Sequence, residues 1–566
     1  MLFFALVLVG KLYFIQIVSG DNFRTRAEHQ YTAGANFFDR GSIFFSTKDG
    51  SVIPAASVKT GFILSVNPNQ LIEYSIDLED VYTKLSALTT IDKESFLTKA
   101  GKVGDPYEEL ARKLDQATAD KIQALKIQGV SVSRERWRSY PGQSMSAHTV
   151  GLIGYDSGNE LAGRYGLERF YEDTLKREGD DAFVNFFAEI FSNIKSVASG
   201  GDIEGDIVTT LEPSVEAFLE GELSRTNARY SSDFTGGIVI DPKTGEIVAM
   251  ALTPTFDPNF PSNAPSSAVF SNKLVEDRYE MGSIVKALTY AIGLDTKVIT
   301  AKQTYNDPGC MTLNTKTFCN YDGKSHGSNI TLQYALSKSL NTGAVLVAQK
   351  IGNRRFSSRM LDFGIEEKTG IDLPNEGGNL VSNIKTNRDL ELAQASFGQG
   401  IALTPISTVR ALSALANGGT LINPHLVKEV KYKIGGSKKT DIDEGKRVLS
   451  SEATAEISRM LTVNVDQSLR EGTMRLENYS IAAKTGTAQI ARPGGGGYYE
   501  DKFLHSFFGY FPSYDARFLV FLFTYDPKGV QFASETLTDS FFNVTKFLIN
   551  YYDIAPDRVS APNTTL

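Results

Sequence analysis

Histidine, cysteine and tryptophan are scarce in this chain of 566 residues, which has five His, two Cys and one Trp. The histidines, His29, His148, His326, His425 and His505, are scattered, and no His-x-x-x-His or Cys-x-x-Cys pair occurs. Metal sites draw their ligands from such closely spaced donors, so no metal or cofactor is expected. An excess of positive charge is missing too. Lys and Arg number 58 against 66 Asp and Glu, a net charge of -8, and no basic stripe is present. That argues against a nucleic-acid partner. With 41% hydrophobic and 22% charged residues, the composition is that of an ordinary globular protein, neither disordered nor multi-span. A single core stops growing near roughly 250 to 300 residues, so two or three domains are expected.

The two cysteines, Cys310 and Cys319, are close enough in sequence to close a disulfide loop. In an oxidising compartment such a loop contributes about 2 to 3 kcal/mol, but two free thiols fit the sequence equally well. A full-length apolar span is also lacking. Met1 to Val9 are apolar or aromatic, and the pattern resumes from Leu12 to Val18 after Gly10 and Lys11. A span needs roughly 20 apolar residues. The favoured expectation for residues 1–19 is an uncleaved anchor helix of which the numbered chain holds only part. A signal peptide or an amphipathic core helix is the alternative.

What is present is a graded pattern along the chain. Residues 20–204 mix short β-like runs, such as Gly61 to Val66, with a helical spacing from about Tyr107 to Ile127. Gly200 to Gly205 reads as a linker, and the domain boundary is placed there. The remainder, 205–557, opens with Gly236 to Ala251, two β-branched runs joined by Asp241-Pro242-Lys243-Thr244-Gly245, a hairpin signature. Helical patterns dominate from about Ser283 to Gly419. Strand-like runs return at Ser480 to Ile490, Phe503 to Phe511 and Arg517 to Tyr525. This order predicts an α+β domain, an antiparallel sheet covered by helices. Residues 558–566 and the run Gly494 to Gly497 are expected to be mobile.

Three short motifs carry chemistry. Ser283 and Lys286 fall in the first turn of a predicted helix ending near Leu294, on one face. A serine becomes a nucleophile when a neighbouring base takes its proton. A lysine serves as that base only if burial or nearby positive charge lowers its pKa. Ser339 and Asn341 add a second hydroxyl and an amide some fifty residues on. Lys484, Thr485, Gly486 and Thr487 continue a strand, and a glycine inside a strand points to close approach of another backbone. An extended peptide could pair along such an edge with its carboxylate on Lys484. Taken singly, each motif is as well explained by a cap, a turn or a solvated lysine.

Their order is not so easily explained. Ser-x-x-Lys, Ser-x-Asn and Lys-Thr-Gly in sequence form the motif set of penicillin-binding proteins and class A β-lactamases. Over nearly its whole length the chain resembles a class B penicillin-binding protein, a monofunctional D,D-transpeptidase. Asp39-Arg40-Gly41-Ser42-Ile43, Tyr140-Pro141-Gly142 and Gly163 to Glu168 match that family's non-catalytic module. Gly398-Gln399-Gly400, Thr404-Pro405, Ala416 to Gly419, Gly472-Thr473 and Ser506 to Pro512 match its catalytic module. Met281, Leu340 and Ala483 depart from the common pattern without removing a functional group.

The resemblance implies a β-lactamase-like transpeptidase domain on an elongated pedestal with a membrane anchor, acting outside the cell membrane on D-Ala-D-Ala stem peptides. It implies Ser283 as nucleophile, Lys286 as base, Ser339 as proton relay, and Asn341 holding Lys286 or the substrate amide. Lys484, Thr485 and Thr487 would hold the substrate carboxylate, and the N–H groups of Ser283 and Thr487 the oxyanion. It further implies acylation by β-lactams, a multi-span membrane glycosyltransferase as partner, and a role in division rather than elongation. The competing readings are a catalytically inert scaffold subunit and a β-lactamase-like hydrolase, for which the sequence places no deacylating glutamate.

Overall fold

The computed structural model describes residues 38–158, 160–177, 204–314, 316–433 and 436–558. The expected anchor, most of the glycine-rich linker and nearly all of the tail lie outside the described residues. Among the described residues no helix is long and apolar enough to cross a membrane. The chain forms two compact units that interleave in sequence. One comprises Met1–Gly41, Ser57–Ser139 and Lys176–Asp202, the other Ser42–Ala56, Tyr140–Leu175 and Ile203–Leu566. One crossing falls in the predicted linker. Residues 42–56 and 140–175, within the stretch 20–204 read from sequence as the N-terminal module, pack with residues 203–566 in the second unit. The physical reason is strand pairing: Ile43–Ser46 lies parallel to Gly205–Thr209 with Ile43 opposite Ile207. Tyr140, Val150, Leu167 and Leu175 bury themselves in the same core as Ile43 and Ile207.

In the first unit, Ser57 to Val66 of the strand Val52–Val66 pair antiparallel with Val130–Ser139, and Phe62 to Val66 with Glu108–Leu114. The helices Pro68–Glu73, Leu78–Ser86, Lys93–Ala100 and Gln116–Ala124 start where Asn67, Asp77, Asp92 and Asp115 accept hydrogen bonds from first-turn N–H groups. Phe62, Leu64, Val66, Leu85, Phe96 and Ile122 form their common core. The helix expected over Tyr107 to Ile127 is corrected here: Glu108–Leu114 is a strand, and only Gln116–Ala124 is helical. Leu110, Ala111 and Leu114 fit helical spacing, but a free sheet edge beside them offers ladder partners. Asp115, whose side chain accepts from Thr118 N, ends the strand and caps the helix.

The second unit is built on an antiparallel sheet in the spatial order Ala482–Ala491, Tyr498–Phe511, Phe518–Tyr525, Phe234–Ile240, Ile247–Thr253. The last two strands are the predicted hairpin, turned through Asp241 to Glu246 with Gly245 at φ +85. Both faces are covered, which explains near-continuous apolar runs such as Phe518 to Phe523. Val239, Phe507, Val520 and Leu522 face the helices Pro213–Tyr230 and Thr538–Tyr551. Ile238, Ile240, Phe508, Phe521 and Phe523 face a larger core that includes the helices Lys286–Asp295 and Pro405–Ala416.

The helical character expected from Ser283 to Gly419 is interrupted by four short strands, Thr304–Asp307, Cys310–Leu313, Lys316–Cys319 and Gly327–Thr331. Gly309 and Gly323 at positive φ, with Pro308 beside the first, turn the chain there. Cys310 and Cys319 face each other across one of these hairpins and are joined as a disulfide, which decides between the two states the sequence left open.

Candidate active site

The nucleophile turn is made by close packing of glycines. Gly282–Val285 is a single 3-10 turn that leads into the helix Lys286–Asp295, so Ser283 sits at a helix entrance as predicted. Gly282 has φ +62, and a β-carbon there would lie 2.6 Å from the Thr487 carbonyl oxygen. From the strand side, a β-carbon on Gly486 would lie 2.7 Å from Met281 O and 3.0 Å from Ile284 N. The glycine of Lys-Thr-Gly is thus required by the approach of the nucleophile turn itself. Ser506, opposite Gly486 on the next strand, donates to Met281 O at 2.8 Å and fixes the contact. Gly398 packs on the other side, its carbonyl accepting from Gly282 N at 3.2 Å.

Ser339 brings the other two motifs together. It lies in the left-handed region, φ 56, at the bend between the helices Leu332–Ser337 and Asn341–Ile351. Its carbonyl accepts from Lys286 Nζ at 2.5 Å, and its Oγ lies 3.3 Å from the same amine. Lys484 Nζ donates to that Oγ at 2.9 Å and to Thr485 O at 2.9 Å. One hydroxyl therefore stands between two lysines that are 0% and 2% exposed. Burial, reinforced by the Lys484 ammonium, pulls the Lys286 amine well below the ordinary lysine range. Burial likewise lowers Lys484 to about 7. A buried amine held neutral is a base able to take a hydroxyl proton.

Ser339 holds Lys286, and the Asn341 amide donates to Cys319 O at 2.7 Å. Thr487 Oγ1 accepts from Ala533 N at 3.1 Å, leaving its own O–H free to donate. Ser283, Ser339, Asn341, Lys484, Thr485 and Thr487 all line one cleft of about 580 Å³, with Lys286 and Gly486 directly behind it. The structure adds wall residues beyond the three motifs. Tyr321 and Phe532 meet edge to face with ring centroids 5.8 Å apart. Asn464 donates to Ala483 O at 2.8 Å, and Gln399, Arg470 and Glu500 complete the rim. Only Gln399, inside Gly398-Gln399-Gly400, had a signal that could have pointed to it.

The model of the penicillin binding protein transpeptidase domain matches residues 235–544, and that of the penicillin-binding protein dimerisation domain matches residues 39–185. The chain belongs to the penicillin-binding protein transpeptidase family. Among its relatives is the stage V sporulation protein D of Bacillus subtilis, 28% identical over 98% of this chain and 84% of that protein. A probable peptidoglycan D,D-transpeptidase, FtsI, of Caulobacter vibrioides is 28% identical over 72% of this chain and 64% of its own length. Two solved penicillin-binding proteins share the fold. Penicillin binding protein 3 of Mycobacterium tuberculosis, complexed with aztreonam, superposes with a TM-score of 0.69 at 21% identity, covering 93% of this chain and 98% of that one. Penicillin binding protein 2X of Streptococcus thermophilus gives 0.71 at 19% identity, covering 92% and 81%. The antiparallel sheet covered by helices and the N-terminal dimerisation module are thus those of a penicillin-binding protein.

Proposed function

We propose that this penicillin-binding protein is a peptidoglycan D,D-transpeptidase working through a Ser283 acyl-enzyme. The observation that carries the reading is the Ser339 hydroxyl between Lys286 and Lys484 in the cleft that Ser283 lines. Neutral Lys286 takes the Ser283 proton as Oγ attacks the carbonyl of the penultimate D-alanine. The N–H groups of Ser283 and Thr487 receive the negative oxygen; one such donor is worth roughly 10²- to 10³-fold. Ser339 passes a proton to the departing D-alanine amine and is itself reprotonated from the lysine pair. The C–N bond breaks, and the acyl group stays on Ser283. The amine of a second stem then attacks the ester, gives up a proton by the same route, and releases Ser283 with the cross-link formed. Lys484, Thr485 and Thr487 hold the donor's terminal carboxylate.

A β-lactam enters the same sequence, but its leaving group remains tethered and blocks the acceptor, so the adduct persists. The bonded Cys310–Cys319 pair supports placement outside the cytoplasmic membrane, where disulfides endure. With residues 1–19 as membrane anchor, glycan polymerisation would fall to a multi-span membrane glycosyltransferase partner. We place the work in wall synthesis at division, a setting that the FtsI name among the relatives fits.

The test is a soluble D-alanyl-D-alanine donor supplied with an amine acceptor. D-alanine release matched by cross-linked product, both abolished by Ser283→Ala, is expected. Product formation by Ser283→Ala would sink the mechanism, and full support of cell growth by that variant would favour the scaffold reading.

A further inference from the structure

The turn ahead of Ser283 carries a buried carboxyl that the acyl-transfer steps do not use. Glu280 Oε1 accepts from the Gly400 N–H at 3.1 Å and from the Tyr498 hydroxyl at 3.0 Å. Among the described residues its Oε2 is buried with no hydrogen-bond partner. Burial pushes this carboxyl up to about 7, so it is placed as a hydrogen-bonding group and not as a surface charge. Three segments remote in sequence meet on one side chain: the nucleophile turn, the Gly398-Gln399-Gly400 turn and the start of the strand Tyr498–Phe511.

Tyr498 sits at the far end of the hairpin, where Arg492 N donates to Gly497 O at 2.9 Å. It follows Gly494 to Gly497, four glycines at positive φ with nothing within contact distance of where their β-carbons would lie. Tyr498 opposite Ala491 is the outermost pair of the hairpin, and the register slips between Gln489 and Ala491. This distal half of the hairpin nevertheless contributes Gln489, Glu500 and Phe503 to the cleft. Glu500 is the one carboxylate among the described residues that line it, a charge suited to the ammonium of an incoming amine.

We propose that Glu280 and Tyr498 form a latch that holds the distal half of this hairpin against the nucleophile turn, and so positions the Glu500 wall to receive the acceptor amine. Glu280 and Tyr498 are positioning residues; neither touches the reacting atoms. The inference rests on the acyl-transfer reading above and adds to it the location of the acceptor side. It also assigns the Gly494 to Gly497 run, expected from sequence to be mobile, a physical role: a compliant tip at the end of the hairpin that the latch secures.

Two rates separate the latch from the chemistry: acylation of Ser283 by a fluorescent penicillin, and transpeptidation of a soluble D-alanyl donor at varied concentrations of an amine-bearing stem peptide. Tyr498→Phe and Glu280→Ala are each expected to raise the acceptor KM about tenfold, with no further rise in the double variant, because one interaction is lost either way. Glu280→Gln keeps an acceptor oxygen and restores the wild-type KM, while penicillin acylation of Tyr498→Phe stays within about threefold of wild type. An unchanged KM in Tyr498→Phe, additive losses in the double variant, or acylation falling in step with acceptor use would each overturn the latch alone. A folded wild-type protein that takes no penicillin adduct would overturn the acyl-transfer reading and the latch with it.

Discussion

The hydroxyl of Ser339 lies 2.9 Å from the Lys484 amine, and it is this contact that ties the Lys-Thr-Gly strand to the helical side of the cleft. The same oxygen is 3.3 Å from Lys286, so removing it separates two amines from their shared proton carrier. Ser339→Ala is expected to slow acylation by β-lactams about 10²-fold, the lower end of acid-base contributions, while the protein remains folded. Stopped-flow acylation kinetics alongside thermal denaturation check this. An unchanged acylation rate would remove Ser339 from the proton path.

The two lysines predict a bell-shaped pH dependence. Lys286 must be neutral to accept the serine proton, and its lowered pKa makes that form abundant well below the ordinary lysine range. Lys484 must be charged to hold a carboxylate, and in the free enzyme it loses its proton as pH rises through about 7. The second-order acylation rate should therefore climb with pH on the acid side and decline above about 7. In Lys484→Arg, whose guanidinium stays charged, the alkaline decline should disappear. A wild-type rate that is flat from neutral to strongly alkaline pH would contradict the assignment.

Stability should carry a separate pH signature from Glu216 and Glu220 on the helix Pro213–Tyr230. Burial raises Glu216 to about 8, with Glu220 beside it, and raises Glu220 to about 7. Glu216 Oε2 accepts from Met250 N, and Oε1 is buried without a partner among the described residues. A folded pKa above the unfolded one means the native state holds the extra proton. The stabilisation is complete below the ordinary glutamate value, about 4.3, and is lost as pH rises through the folded values. The Tm is thus expected to fall between pH 5 and 8, and Glu216→Gln, neutral throughout, should flatten that fall. A Tm profile identical in the two proteins would show that Glu216 does not titrate in this window.

Gly486 and the disulfide test how the site is held in place. In Gly486→Ala the new methyl would lie 2.5 Å from Ser506 Oγ and 2.7 Å from Met281 O, driving the nucleophile turn off the strand. The expected cost is about 1 to 3 kcal/mol of stability. With it should come a loss of acylation of about 10²-fold, measured as adduct formation.

Replacing Cys310 and Cys319 together by alanine should cost about 2 to 3 kcal/mol, read from denaturant unfolding. It should also slow acylation, because the main-chain carbonyl of Cys319 that anchors Asn341 is no longer held by the cross-link. Full activity in a destabilised double variant would separate the two roles.

Much of the site was legible because its chemistry is local. Ser283 with Lys286, and Lys484 with Thr485 and Thr487, each sit on one turn or one strand, and spacing put Ser283 and Lys286 on one face of their turn. The glycine at position 486 was read as a close approach, and the approaching backbone is the Ser283 turn itself. What the sequence could not supply depends on distant partners. Ser339 points between the lysines because of a left-handed bend, which no periodicity encodes. The interleaving of the two units follows from Ile43 pairing with Ile207, and the strand Glu108–Leu114 from a sheet edge that helical spacing cannot reveal. The Glu280–Tyr498 contact joins residues 218 positions apart.

The central claim is tested most directly by incubating the purified protein with a fluorescent penicillin and mapping the adduct by peptide mass spectrometry, beside Ser283→Ala. The account predicts one stable adduct on the peptide containing Ser283 and none in the variant. An adduct on another residue, or a folded wild-type protein that remains unlabelled at high penicillin concentration, would contradict it.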